Sequence, residues 1–165
     1  MAQNHTTGTP RPKPGPTHTV VQLKAGERID AVVLSPTVWG VGTHWNDRAG
    51  KHGRSERCTK HIDKDNCSGC NAQLPVRWKG YLYVFDFLRR KAVFIELTPA
   101  TSESIEIQAP ADRSLRGVRL KMKRGDGGNK TRVECSVEDY RGDMDKLPDD
   151  RDPEPILETL WKWRR

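Results

Sequence analysis

From Thr19 onward the chain alternates short apolar runs with polar breaks, and most of the runs have the two-residue period of strands. Thr19–Leu23 and Ile29–Leu34 are β-branched runs separated by the turn-like Lys24-Ala25-Gly26-Glu27, which predicts two strands. The longest β signal is Pro75–Leu88, followed by Arg89-Arg90-Lys91 and a second run at Ala92–Leu97, which predicts a long hairpin. Thr98-Pro99-Ala100-Thr101 is a helix-start signal. Residues Ser102–Gln108 then fit a short helix, although Ile105 and Ile107 also alternate in the strand manner. Gly117–Lys123 and Thr131–Val137 read as a further hairpin across the flexible Arg124–Asn129 turn. Near the end, Asp152-Pro153 has the look of an N-cap and first helical residue, so Ile156–Trp163 is predicted as a short helix.

Six strands joined by polar connections predict a mainly β domain, a small barrel over residues 18–137. Residues 1–17 hold four prolines and almost no large apolar groups, so they cannot offset the entropy of ordering and are expected to be a disordered arm. Residues 42–72 are polar throughout and rich in Gly, Asp, Asn, Lys and His. They form an insertion that only a metal would hold in place.

At 165 residues the chain accommodates one domain with tails. It carries no run of about 18 apolar residues, and its first 18 residues lack the apolar stretch of a signal peptide. A soluble, intracellular protein without a membrane segment is expected. The net charge of +7 points to an anionic partner, and its distribution is uneven. Residues 1–136 carry 23 Lys/Arg against 13 Asp/Glu, whereas residues 137–160 carry 3 against 9. Residues 138–152 therefore read as an acidic connector between the basic domain and a C-terminal helix at 153–165, with an internal competitor for a nucleic-acid site as the other reading.

Three of the four cysteines crowd into thirteen residues beside histidines, which is a metal pattern rather than a disulfide one. Cys67-Ser68-Gly69-Cys70 is a CxxC knuckle, whose short glycine-bearing loop lets backbone amides point at the thiolates while both sulfurs reach one ion. Cys58 supplies a third thiolate, and His44, His52 and His61 are candidates for the fourth position. His44 would tie the insertion to a strand end, while His61 is only three residues from Cys58. Thiolates with one imidazole select zinc over harder ions. Cys135, in a predicted strand far from the others, reads as a core thiol.

A catalytic zinc needs an open coordination position and a nearby base. Zinc deaminases place a glutamate two residues after the histidine and a proline before the CxxC. Here His44 is followed by Trp45-Asn46, and Asn66 precedes Cys67. A structural zinc and a non-enzymatic protein are expected, with a His-Asn-His-type nuclease as the weakest reading.

Alternation along Pro75–Leu88 puts Trp78, Gly80, Leu82, Val84, Asp86 and Leu88 on one side and Arg77, Lys79, Tyr81, Tyr83, Phe85 and Phe87 on the other. Two cations followed by two tyrosines suit single-stranded nucleic acid, because phosphates pair with charge while bases lie on rings. The same tyrosines would also serve to cover a second minor core. Arg89, Arg90 and Lys91 at the hairpin tip, with Arg119, Lys121 and Lys123 on a later strand, would widen the positive surface. Trp39 and Trp45 flank His44, where either stacking on a base or anchoring the loop fits.

In the order His44, Cys58, Cys67-x-x-Cys70 and then the Arg/Lys and aromatic strand from Pro75, the chain resembles the zinc-containing single-stranded-DNA-binding proteins of tailed phages of the T-even type, over about residues 28–137. The resemblance implies an OB-fold core, His44, Cys58, Cys67 and Cys70 as zinc ligands, and Arg77, Lys79, Tyr81 and Tyr83 as groove residues. It also implies work in replication, recombination or repair in the cytoplasm of a bacterial or phage-infected cell, with DNA favoured over RNA. The ends depart from that family: this chain begins with a Pro-rich arm and closes on Trp161-Lys162-Trp163-Arg164-Arg165. Either one of Trp161 and Trp163 docks on the barrel or both form a contact with a protein partner, and the alternative function is a zinc OB-fold adaptor docking into a larger replication, recombination or transposition assembly.

Overall fold

In the computed structural model the described residues are 19–48, 50–60, 66–109, 111, 114–127 and 131–161. The expected arm at 1–17, His61 and Trp163 lie outside them. The strands are β1 (Val20–Val21), β2 (Arg28–Val33), β3 (Trp39–Asn46), β4 (Arg54–Arg57), β5 (Val76–Asp86), β6 (Lys91–Leu97), β7 (Val118–Arg124) and β8 (Val133–Asp139). The helices are α1 (Ser68–Asn71), α2 (Pro99–Gln108) and α3 (Glu154–Leu160), with a 3-10 turn at Met144–Lys146.

The protein is mainly β, as its apolar pattern indicates. The strand path runs β1-β6-β5-β2-β7-β8, and β3 branches from β5 and carries β4. Among the described residues only the β1–β6 pairing is parallel. Among the described residues no pairing joins the two ends of that path. Among the described residues eight strands stand where six are predicted, because β3 and β4 lie in a Gly- and charge-rich stretch without an apolar run. Their pairing comes from β5, which is long enough to hold two partners on one edge. Val84–Asp86 bond to β2, and Val76–Tyr81 bond to β3. The break between β2 and β3 is tied down by the Leu34 and Ser35 amides, which both donate to the Tyr83 carbonyl.

Alternation then fills two cores, one on each face of the sheet. The first contains Ile29, Ala31, Val33, Leu82, Val84, Val93, Ile95, Leu97 and Leu120. The second contains Val32, Leu34, Val41, Tyr81, Tyr83 and Phe94, and is roofed by Ile156 and Leu157 of α3. Tyr140, Met144, Leu147 and Trp161 pack against its margin. The acidic stretch 138–152 thus begins inside β8 and anchors itself through its few apolar residues, while most of its carboxylates stay exposed.

The segment after β6 is a helix because Thr98 caps it: its hydroxyl oxygen accepts from the Thr101 amide at 3.2 Å, and Pro99 occupies the first helical position. Helical spacing buries Ile105 completely and leaves Ile107 75% exposed, which settles the strand-like alternation of that pair.

Candidate metal centre and neighbouring surface

His44 lies on β3, Cys58 just after β4, and Cys67 and Cys70 at the start and in the body of α1. Four ligand atoms from these residues lie within 4.8 Å of one another and could hold a metal ion. Cys58 Sγ is 3.7 Å from Cys70 Sγ and 3.9 Å from Cys67 Sγ. His44 Nε2 is 3.5 Å from both Cys67 Sγ and Cys70 Sγ. The described candidates for the fourth position separate cleanly: His44 is 1% exposed and inside the cluster, whereas His52 is exposed in the β3–β4 turn.

The imidazole is oriented from behind. His44 Nδ1 lies 3.0 Å from the Leu74 carbonyl oxygen. A carbonyl has no proton to give, so Nδ1 carries a hydrogen, and in the neutral ring Nε2 is then the bare nitrogen facing the sulfurs. Gly69 completes the fit, since a Cβ there would overlap ring atoms of His44 and lie 2.8 Å from its own Cβ. A glycine between the cysteines is visible in the sequence; the Leu74 carbonyl leaves no trace there.

The thiols of the cluster influence one another electrostatically. Burial raises the Cys67 thiol, but backbone amides of Cys70 and Thr59 outweigh it and bring it down to about 6. Burial and the adjoining Cys58 and Cys67 push Cys70 up to about 11. Three clustered sulfurs cannot all ionise unless positive charge sits among them. Cys135 is elsewhere, packed against the first core, where burial pushes its thiol up to about 11.

The expected binding surface is distributed differently from its reading in the strand pattern. Arg77 is exposed, but Tyr81 and Tyr83 are 0% and 4% exposed. This corrects the expectation of an open aromatic stripe: both rings sit in the second core because α3 covers them. Burial, then the adjacent Glu96 carboxylate, holds the Tyr81 phenol well above its usual range. Its hydroxyl donates to Glu96 Oε2 at 3.0 Å, while Lys79 Nζ lies 2.9 Å from Oε1. Lys79 also stands 5.4 Å from the Trp161 ring centroid, so this tryptophan is packed within its own chain.

Several other cations are paired as well. Arg119 grips Asp30 through two 2.8 Å bonds, Lys121 lies 2.9 Å from Glu138, and Arg89 lies 2.6 Å from the buried Asp86. Arg90, Lys91 and Lys123 are exposed. Lys121 and Lys123 line an open cavity of about 510 Å³ with Arg28, Leu88 and Met122.

Comparison with family models, with characterised proteins and with solved structures finds no match for the chain. What the fold and the site define is a mainly β protein with a buried Cys3His cluster at the root of an insertion.

Proposed function

We propose that this chain binds single-stranded nucleic acid, DNA in preference to RNA, without catalysing a reaction, and that a structural zinc holds the β3–β4–α1 insertion against β5. The observation that carries the reading is the spacing of the four ligand atoms directly behind a cation-bearing ribbon. Zinc bonds of about 2.3 Å to sulfur and about 2.0 Å to nitrogen put tetrahedral vertices roughly 3.8 Å apart between sulfurs and roughly 3.5 Å apart between sulfur and nitrogen. The separations of 3.7 and 3.9 Å and of 3.5 Å match that figure. Four protein ligands close the coordination sphere, leaving no position for a reacting water. Bound there, zinc would supply positive charge for the thiolates and a cross-link between β3, the end of β4 and α1.

The element order supports an OB-fold reading. With β2 and β3 counted as one bent strand, β5, β6, β7 and β8 complete the five strands of a partly open barrel, and the metal-bearing insertion occupies its first long loop. In that fold this loop flanks the ligand-binding face. The charge of +10 on residues 1–136 supplies the attraction to phosphate.

The test is a titration of the zinc-loaded full chain with single-stranded DNA, single-stranded RNA and duplex, followed by tryptophan fluorescence at several salt concentrations. Tight single-strand binding that falls linearly on a log–log salt plot is expected; no quenching by any oligonucleotide at low salt overturns the reading.

A further inference from the structure

Resting on that reading, and replacing the buried tyrosines, we infer that Trp45 is the residue on which a base of the single strand stacks, with Arg77 beside it on the phosphate. The strand register places them together. In an antiparallel ribbon directly opposed residues point to the same side, and residues two apart on one strand share a side. Thr43 is opposite Arg77 on β5 and opposite Arg57 on β4, and Trp45 is opposite Ser55. Trp45, Arg77, Arg57 and Lys79 therefore occupy one face, and His44 and the metal cluster occupy the other.

The C-terminal helix marks where this face becomes open. Glu154 at the start of α3 reaches Arg57 at 3.0 Å, and Trp161 lies over Lys79. Beyond those two contacts Arg77 is exposed and Trp45 is 43% exposed. The indole is seated on a glycine: a Cβ on Gly53 would lie 2.8 Å from its Cζ2, and Gly53 has a φ of +73°. One flank of the ring is thus held against the hairpin while the residue keeps much of its surface in solvent. Arg48 and Lys51, exposed in the β3–β4 turn, add cations at the same end. An exposed ring among exposed cations fits a polyanion carrying flat, unstacked bases, because stacking tolerates any base and charge follows the backbone. Apolar partners are disfavoured by the arginines and lysine that would have to be desolvated with it.

Trp78 supplies an internal control. It is 36% exposed, beside Val76, but it lies on the opposite face, over Gly40 and Gly80. The experiment compares the zinc-loaded full chain with Trp45→Leu, Trp45→Tyr, Trp78→Leu and Arg77→Ala in single-stranded DNA titrations at several salt concentrations, with zinc content as the check on folding. Trp45→Leu is expected to weaken binding roughly ten- to hundred-fold with an unchanged salt slope. Trp45→Tyr should recover most of the loss, and Trp78→Leu should bind like the unchanged chain. Arg77→Ala should lower the salt slope by roughly 0.7. Full affinity in Trp45→Leu, or an equal loss in Trp78→Leu, overturns the assignment while leaving single-strand binding intact. Absence of binding by the unchanged chain overturns the parent reading and the assignment with it.

Discussion

Gly69 lies directly beneath the imidazole of His44, so closely that the smallest side chain added to it would overlap the ring. The glycine is a spacer that sets how near α1 can approach β3, and with it the distance from Cys67 and Cys70 to Nε2. Gly69→Ala is expected to push the ring off its ligand position and to weaken metal retention roughly 10- to 100-fold, the range seen when support of a ligating histidine is lost. Competition with a chromophoric chelator measures this directly. A variant that keeps its metal as tightly as the unchanged chain would show that the contact has no bearing on the site.

Because the cluster joins three separate segments, metal and fold should be linked. Few apolar side chains other than the ligands hold α1 to β3, so removal of the ion is expected to release the insertion while leaving the two hydrophobic cores folded. Hydrogen exchange before and after chelation should show lost protection across β4 and α1, with protection in β5–β6 retained. Global unfolding on chelation, or no change at all, would contradict this division.

Tyr81 is a stability residue. Truncation to Ala would leave a cavity between β5 and α3 and is expected to cost about 3–5 kcal/mol. Tyr81→Phe removes only the hydroxyl that donates to Glu96, which keeps its contact with Lys79, so a cost of about 1 kcal/mol is expected. Denaturant melts of both variants measure the difference. Oligonucleotide affinity of the folded Tyr81→Phe protein should match that of the unchanged chain.

The Asp30–Arg119 pair predicts an acid-side dependence. The hydrogen bonds from Arg119 hold the Asp30 carboxyl below its ordinary value of 3.8. As pH falls, the unfolded chain therefore takes up this proton first. The pair's contribution is complete above the unfolded carboxyl value and disappears as pH drops through the lower folded one. Both side chains are partly exposed, so the contribution should be no more than about 1 kcal/mol. Asp30→Asn should lose that amount at neutral pH and converge with the unchanged chain as pH falls through the lowered folded value. Metal release in acid affects both proteins alike, and the difference between their melts isolates the pair. A constant difference down to pH 2 would exclude this linkage.

Much of the strand order was legible in the chain because its signals are local. The period-two runs of β2, β5 and β6, the Thr98-Pro99 start of α2, and Pro153 at the head of α3 depend on neighbouring residues alone. The three cysteines were legible for the same reason: soft donors at short spacing in a stretch too polar for a core have few uses besides a metal. His44, Cys58, Cys67 and Cys70 meet in space as that pattern anticipates.

What only the tertiary structure decided is which face each strand presents to solvent. A run such as Tyr81–Phe85 states that two faces exist, but not what covers them, and an aromatic stripe reads the same whether it meets water, nucleic acid or another helix. Ile156 and Leu157, more than seventy residues away, bury the tyrosines here. The same holds for β3 and β4, which have little apolar pattern of their own and become strands because β5 offers them an edge. Local patterning determined most of the elements and the three clustered cysteines; long-range packing decided that the tyrosines are core, that His44 joins those cysteines, and that Trp45 beside it keeps 43% of its surface exposed.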